Sequence, residues 1–437
     1  MPDLRLVPRA ELDRLRGAEV DRDARLALLA DACRLNALVA VKRAGSGHLG
    51  STFSALDLVV HLLLEELDVA ERGFDDPQRD VFFSSKGHDV PGVYAALYAL
   101  GVVSRERLLR LRRLGGLDGH PDVGVPGIEA NSGSLGMGVS KGRGIALAKR
   151  RLGLGGRVVV MTGDGELQEG QNWEALQAAA HDRLGGLWVV VDRNEVQSDK
   201  RTEEIVALGD LERKLAAFGW QVEAADGHDH AALREVFARF RDGGEAPKVL
   251  VARTVKGRGV SFMEHPVALA EGGGTYRWHA GAPADEPFAR AVTELERRLT
   301  ERSVSLGFGP PRLELVEAEE HARGLEGEPA SGWAARPKSA VTDEYVVEAY
   351  GEALLDVLDA DLASDCRVRA FEQAYPDRFF QCGIAEQDMV SAAAGMARHG
   401  LLPVVNSFAA FLASRANEQI YNQASERSKV VYALHFA

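Results

Sequence analysis

Two short apolar runs, Val158 to Thr162 and Leu187 to Val191, constrain this chain more than any other feature. Each is rich in β-branched residues and too short for a typical helix, so each reads as a buried strand of a parallel sheet. The first runs into Gly163-Asp164-Gly165 and then a helix-like stretch carrying Trp173, Ala175 and Leu176. The second runs into Asp192-Arg193-Asn194. Asp164 and Asn194 therefore lie just past the carboxyl ends of two strands, about thirty residues apart. That is the edge at which open parallel sheets bind ligands. A carboxylate and an amide oxygen suit a hard cation such as Mg²⁺, which takes oxygen ligands and shares them with a phosphate. Gly163 and Gly165 let the backbone approach a diphosphate closely. The plain alternative, a Gly-Asp-Gly turn and an unrelated loop asparagine, is weakened by the spacing and by the matching strand contexts.

The length, 437 residues, predicts two or three domains. With 52 basic against 65 acidic residues the net charge is −13, which argues against a nucleic-acid or anionic-membrane binder but leaves room for a local basic pocket. Cys33, Cys366 and Cys382 show no metal-ligand spacing and cannot all pair within one chain, so a reduced, cytoplasmic setting is expected. The first residues lack an apolar signal core, and no window is apolar for the length a membrane span needs.

Along the chain, residues 9–42 have helical periodicity and lead into AGSGHLGSTFSALDL. Gly45, Gly47 and Gly50 match GxGxxG, but a helix rather than a strand precedes them, so a dinucleotide site is disfavoured. A short strand, a Ser-Ser-Lys-Gly-His turn and a helix follow at 80–99. The arginine run Arg105 to Arg113 reads as a solvated helix face, with a basic ligand surface as its alternative. Residues 115–140 form a long glycine-dense stretch of the sort that is usually functional. It opens a small-residue helix, Val139 to Lys149, whose N-terminus suits an anion. Helices are expected at 211–218, 231–241 and 284–300, and a strand at Val249 to Thr254. Residues 303–340 read as a linker. Beyond it the pattern predicts a helix (Asp343 to Leu358), a strand (Phe379 to Cys382), a helix opened by Glu386, a strand (Pro403 to Ser407), a helix through Tyr421 and a last buried parallel strand in KVVYALHFA. The expected architecture is α/β, with parallel sheets covered by helices on both faces. It divides into 1–302, the linker 303–340, and 341–437, the last an incomplete second α/β domain because the pattern stops on a bare strand.

These segments together resemble the transketolase family of thiamine diphosphate enzymes, in the family's order and over nearly the whole chain. GDGELQEGQNWEA with VDRN looks like the family's diphosphate–metal motif. AGSGHLGS, SSKGHDVPGVYAAL, GHPDVGVPGIEANSGSLGMGVSKGRGIALA and KGRGVSFMEHP with WHAGAP look like the rest of its diphosphate-binding domain. AYPDRFFQCGIAEQDMVSAAAGMA and SFAAFLASRANEQI look like its pyrimidine-binding domain. The resemblance implies thiamine diphosphate as cofactor and Mg²⁺ (or Ca²⁺ or Mn²⁺) held by Asp164, Asn194 and the backbone carbonyl of Val196. It implies that Gly163, Gly165, Leu135, Gly136 and Glu169 shape the cofactor pocket, and that Phe408 and Phe411 pack on the aminopyrimidine. Glu386 matches the family's catalytic glutamate, which faces the pyrimidine ring and assists loss of the thiazolium proton. His48, His88, His120 and His279 match histidines that line the substrate channel, with His88 also beside the cofactor.

The same resemblance implies transfer of a two-carbon ketol unit from a ketose, or ketose phosphate, to an aldose. Alternatives are ketol synthesis from pyruvate, as in deoxyxylulose phosphate formation, and a non-catalytic truncated binding subunit. Full-length members continue through the rest of the pyrimidine domain and a third domain. The expectation is therefore a split enzyme, completed by a second polypeptide in a heterotetramer with two copies of each, acting on sugars or sugar phosphates, with no nucleic acid and no membrane. Ser414 stands where the family has a third pocket aromatic, and positions Asp361 to Arg369 align poorly with the family's phosphate contacts.

Overall fold

The computed structural model describes residues 3–316, 356–359, 368–382 and 385–435. In chain order its strands are β1 (Arg5–Leu6), β2 (Val81–Ser84), β3 (Val158–Gly163), β4 (Leu187–Arg193), β5 (Gln221–Asp226), β6 (Lys248–Arg253), β7 (Glu314–Leu315), β8 (Asp356–Asp359), β9 (Phe379–Gln381), β10 (Pro403–Phe408) and β11 (Val431–His435). Five of them form a sheet of order β2-β3-β4-β6-β5 in which every pairing is parallel.

Side chains alternate across a strand, so each apolar run feeds two cores. Val159, Met161, Trp188, Val190, Leu250 and Ala252 enter one core, with the helices Arg22–Ala44, Leu49–His61, Val90–Leu100, His230–Asp242 and Asp285–Ser305. Val158, Val160, Leu187, Val189, Val191 and Val249 enter the other, with the helices Gly138–Leu152, Gly170–His181 and Leu211–Ala217. Burial of each such side chain stabilises by about 1.5–3 kcal/mol, which is why continuous runs without alternation could be read as strands covered on both faces.

β5 had no such signal. It is an edge strand of half-buried residues in which Val222, Ala224 and Ala225 are its only apolar side chains. The long N-terminal helical pattern is broken into Arg9–Arg16 and Arg22–Ala44. The first part of the expected linker is attached to the first unit. The Asp285–Ser305 helix runs into it, β7 pairs antiparallel with β1, and Val316 is buried. The remainder, 317–340, lies outside the described residues.

The second sheet has the order β11-β10-β8-β9, again all parallel. Here the expectation of a helix from Asp343 to Leu358 is corrected at its end. Residues 343–355 lie outside the described set, but Asp356–Asp359 is a buried strand in the middle of the sheet. Val357 and Leu358 form a short apolar pair that periodicity alone does not divide between helix and strand. The expected helix through Tyr421 is two helices, Ala409–Arg415 and Asn417–Ser425, and the one opened by Glu386 is Glu386–Arg398.

The two units meet where the Gly138–Leu152 helix crosses Glu386–Arg398. A Cβ on Gly144 would overlap the Ala392 carbonyl oxygen, and one on Gly395 would overlap the Lys141 carbonyl oxygen. Glycine at both crossing points lets the backbones touch. Around that contact Arg143 Nη1 donates to Asp388 at 2.6 Å and its Nε to Asp182 at 2.8 Å. Lys141 pairs with Glu426, and Gln171 Nε2 donates to Ser391 at 2.7 Å.

Candidate functional site

β3 and β4 are in register with Gly163 opposite Asp192, so Asp164 and Asn194 leave the sheet side by side at its carboxyl edge. Asp164 caps a short 3₁₀ turn, Gly165–Gln168, accepting from the Gly165 N–H at 2.7 Å. Its other oxygen accepts from the Glu195 N–H at 2.7 Å and Arg193 Nη1 at 3.1 Å. Burial pushes the Asp164 carboxyl above its ordinary range, against the pull of Arg193. Asn194 Oδ1 accepts from the Val196 N–H at 3.2 Å, and its Nδ2 donates to Asp192 at 3.0 Å.

Asp192 is the hub behind this edge. It accepts from Lys86 Nζ at 2.6 Å, Ser54 Oγ at 2.7 Å and the Thr254 hydroxyl. Burial works against its charge, but Lys86 outweighs it, and the carboxyl sits below its ordinary range. Lys86 is thus fully compensated, with Asp89 3.4 Å away as a second carboxylate. Lys256 is not. Its buried ammonium donates to the carbonyl oxygens of Val196 at 2.9 Å and Gln197 at 2.5 Å. Burial pulls it down to about 7, with Asp164 the main opposing influence.

Ser51, Lys86, His88, Leu135, Gly163, Asp164, Gly165, Glu166, Asn194, Val196, Lys256 and His279 all line one cavity of about 130 Å³. Complete small-molecule pockets hold roughly 300–1,000 Å³, so this is one portion of a site. Its chemistry suits a metal-bound diphosphate. It offers one carboxylate, an amide oxygen and a carbonyl, beside an ammonium without a carboxylate partner. Among the described residues no group of three His, Cys, Asp or Glu side chains makes a metal cage. A cation here would need oxygens from a ligand, as Mg²⁺ commonly does.

The four predicted histidines converge next to this wall. Ring centroids lie 5.5 Å apart for His48–His88, 5.8 Å for His48–His120, 5.3 Å for His48–His279 and 5.2 Å for His88–His279. Burial, then nearby cations, lowers all four. His48 falls to about 4 and His279 to about 3, while His88 and His120 fall below the usual imidazole range. They are neutral at pH 7, and Nδ1 of His48 and of His279 is buried without a partner.

Other predicted residues lie elsewhere. Glu169 is exposed at the start of the Gly170–His181 helix, and a Cβ on Gly136 would sit 2.6 Å from its Cβ. The carboxylate that reaches the cavity is Glu166, which accepts from the Ser85 hydroxyl and from the N–H groups of Gly136 at 3.0 Å and Gly163 at 3.1 Å. Glu386, Phe408 and Phe411 form a separate group on the second unit. Glu386 is buried and accepts from Arg415 Nη1 at 2.9 Å. Arg415 lies over the Phe411 ring at 4.5 Å, and Phe411 is 5.8 Å from Phe408. None of these three lines the cavity.

Sequence reasoning missed Ser51, Lys86, Glu166 and Lys256. The signal was present for the lysines. Each follows a strand, in SSKGH after β2 and TVKGRG after β6, at the same carboxyl edge that singled out Asp164 and Asn194.

Comparison with known proteins agrees with this geometry. The family described as "Transketolase, thiamine diphosphate binding domain" matches residues 26–269, and "Transketolase, pyrimidine binding domain" matches 338–436. The chain belongs to the transketolase family. It is 32% identical over 421 residues to a bovine (Bos taurus) transketolase-like protein 2, covering 92% of this chain and 63% of that protein. It is 29% identical to human (Homo sapiens) transketolase with the same coverage. It is 35% identical over 260 residues to one subunit of the apulose-4-phosphate transketolase of Phocaeicola vulgatus, covering 59% of this chain and 89% of that polypeptide. Transketolase from Leishmania mexicana superposes with a TM-score of 0.73 at 22% identity, over 94% of this chain and 68% of that one, and so shares the fold. The chain thus spans less than two thirds of the transketolase and transketolase-like relatives, but nearly all the length of a relative that is itself named as part of a divided transketolase. No helix among the described residues is long and apolar enough to cross a membrane.

Proposed function

We propose that this chain is one subunit of a split, thiamine diphosphate-dependent transketolase that moves a two-carbon ketol unit from a ketose donor to an aldose acceptor. The observation that supports it most is the meeting, at one sheet edge, of Asp164, Asn194 and an uncompensated Lys256 with four neutral histidine rings. Bound thiamine diphosphate supplies a nucleophilic carbon able to carry the ketol unit. Asp164, Asn194 and the Val196 carbonyl would hold Mg²⁺, with Lys86 and Lys256 facing the diphosphate. Leu135, Gly136, Gly163, Gly165 and Glu169 would bound the cofactor. A neutral imidazole both donates and accepts hydrogen bonds. His48, His88, His120 and His279 can therefore hold sugar hydroxyls and hand on a proton at a ring nitrogen.

Glu386, Phe408 and Phe411 lie off the cavity, so their roles are assigned across an interface. The Glu386 carboxyl would hold a proton against the cofactor's pyrimidine ring, and the two phenylalanines would pack on that ring. In this reading the diphosphate-binding unit (1–302) of one copy faces the pyrimidine-binding unit (341–437) of another, 303–340 links them, and a second polypeptide completes a two-plus-two assembly in the cytoplasm. The apulose-4-phosphate transketolase relatives, each named as one part of its enzyme, are the support for a divided enzyme.

Calorimetry of the purified chain should show Mg²⁺-dependent binding of thiamine diphosphate. Assays with the product of the neighbouring reading frame should show ketol transfer from a ketose and none from pyruvate. Absence of cofactor binding by the chain, alone and with that product, would sink the proposal. Turnover of pyruvate instead would replace it with the synthase reading.

A further inference from the structure

The arginine run that follows the Val90–Leu100 helix is only partly used by the fold. Its helix is short, Arg105–Leu109. The chain then doubles back, with Leu111 bridging Leu117 and the Arg112 N–H donating to the Leu117 carbonyl at 2.6 Å. Two arginines tie the loop down. Arg110 Nη2 donates to the Leu114 carbonyl at 2.6 Å, and Arg113 Nη2 to the Arg43 carbonyl at 3.3 Å.

Arg112 is different. Its φ is +56°, a left-handed conformation that costs a non-glycine residue on the order of 1 kcal/mol and that clusters at functional sites. Its guanidinium lies against Gly119, where a Cβ would overlap it. Its one side-chain hydrogen bond is a long one, Nη2 to the Gly119 carbonyl at 3.5 Å, and its Nε is buried without a partner. Among the described residues no carboxylate pairs with it.

The next residue after Gly119 is His120, whose ring is 5.8 Å from that of His48. After burial, Arg112 is the strongest influence holding both His48 and His120 in the neutral form. A guanidinium without a counter-anion is thus fixed beside the histidine cluster by a strained loop. Hydroxyl groups of a neutral sugar would be satisfied by the neutral imidazoles alone. A planar fork of N–H donors matches a phosphate.

We infer that Arg112 recognises an anion on the substrate of this site, and that the substrate is a sugar bearing a terminal phosphate. The inference rests on the ketol-transfer reading of the histidine cluster. The variant Arg112→Gly removes the guanidinium and suits the left-handed backbone, so it should fold at least as stably as the parent. Arg112→Gln removes the charge but keeps a side chain, and Arg112→Lys keeps the charge without the fork.

The test follows the imidazole ring resonances of the full chain, loaded with thiamine diphosphate and Mg²⁺, while D-ribose 5-phosphate or D-ribose is titrated in. Ribose 5-phosphate should shift the His48 and His120 signals where ribose at equal concentration does not. Arg112→Gly and Arg112→Gln should lose about tenfold or more in ribose 5-phosphate affinity, the loss expected for a charge-assisted contact. Arg112→Lys should fall between, with thiamine diphosphate affinity unchanged throughout. Equal affinity in the parent and Arg112→Gly, or ribose acting as strongly as its phosphate, would overturn the inference. Failure of the parent to bind thiamine diphosphate would instead overturn the proposed function, and the two sugars can still be compared on the unloaded chain.

Discussion

The wall around Asp164 and the group around Glu386 are built on opposite principles. The wall is electrostatically closed within one unit. Asp192, Lys86, Asn194 and Lys256 are buried, anchored on strand ends and joined by short hydrogen bonds. The Glu386 group is open. Glu386 is buried, yet its partner Arg415 has a side chain 50% exposed, and Phe408 and Phe411 are only half-buried. Polar groups that must meet charge are preorganised inside one unit, where unpaired burial would be costly. Aromatic rings that must meet a flat partner are left on a surface, where packing can complete them.

The sharpest break of that contrast is Asp164→Ala. It should remove Mg²⁺-dependent thiamine diphosphate binding, a loss of about a thousandfold or more, by deleting the one carboxylate in the cavity that faces a metal. Calorimetry with and without Mg²⁺ checks it, and unchanged affinity would take the metal away from this edge. Glu386→Gln should do the reverse. Cofactor affinity should hold, while turnover of the assembled enzyme should fall by about 10²–10⁴, the usual scale for a proton-transfer group. If binding and turnover fell together in Glu386→Gln, the two regions would not be separable in the way their geometry suggests.

How much of this was legible depended on burial. β3 and β4 announced themselves because both faces are covered, which demands unbroken apolar runs. β5 did not, because an edge strand with half-buried residues tolerates Gln221, Glu223 and Asp226. Val357 and Leu358 were legible as buried but not as strand. The histidines were found one by one and are brought within 6 Å of a neighbouring ring, whereas Lys86 and Lys256 were overlooked. A lysine in a glycine-containing loop looks solvent-facing until the fold places it beneath Asp192 and Val196. Glu166 was passed over in favour of Glu169 for a similar reason. Which of two glutamates three residues apart turns inward is set by the 3₁₀ turn at Gly165, and composition does not reveal such a turn.

The junction between the two regions offers an intermediate effect. Asp388→Ala would strand the buried Arg143 guanidinium with only Asp182 as carboxylate partner. Breaking a buried pair of this kind costs about 3 kcal/mol or more. Urea unfolding should register that loss, and a change under about 1 kcal/mol would show that the crossing of Gly144 and Gly395 holds the units together without the ion pair.

A smaller effect concerns the histidines. The unfolded chain takes up protons near the ordinary imidazole value of about 6.5, while folded His48 and His279 resist to about 4 and about 3. Between these limits the unfolded state binds more protons, so stability is greatest above about pH 6.5 and falls as the pH is lowered through that window. Both rings retain some solvent access, which softens the effect. A melting temperature about 2–4 °C lower at pH 5.5 than at pH 7.5 is the expected scale for a domain of this size. Ring resonances of the four histidines should stay flat over that range. Titration of any of them near pH 6.5 would mean the cluster is wetter than its burial implies.

The smallest effect separates scaffold from site within one motif. Gly45, Gly47 and Gly50 match a dinucleotide fingerprint, but Gly45 ends the Arg22–Ala44 helix at φ +73°, its N–H donating to the Val41 and Lys42 carbonyls. Nothing lies within 4 Å of a Cβ there, whereas a Cβ on Gly50 would sit 2.7 Å from the Tyr276 hydroxyl and 3.0 Å from the carbonyl of Trp278, the residue before His279. Gly45→Ala should therefore lower stability by about 1 kcal/mol, the cost of a left-handed alanine, and leave thiamine diphosphate affinity untouched. Gly50→Ala should shift the segment that carries His279 and weaken substrate binding as well as stability. If Gly45→Ala weakened cofactor binding severalfold, the helix end would belong to the ligand's surroundings, and the separation between a charged wall and a supporting helix end would fail at its nearest point.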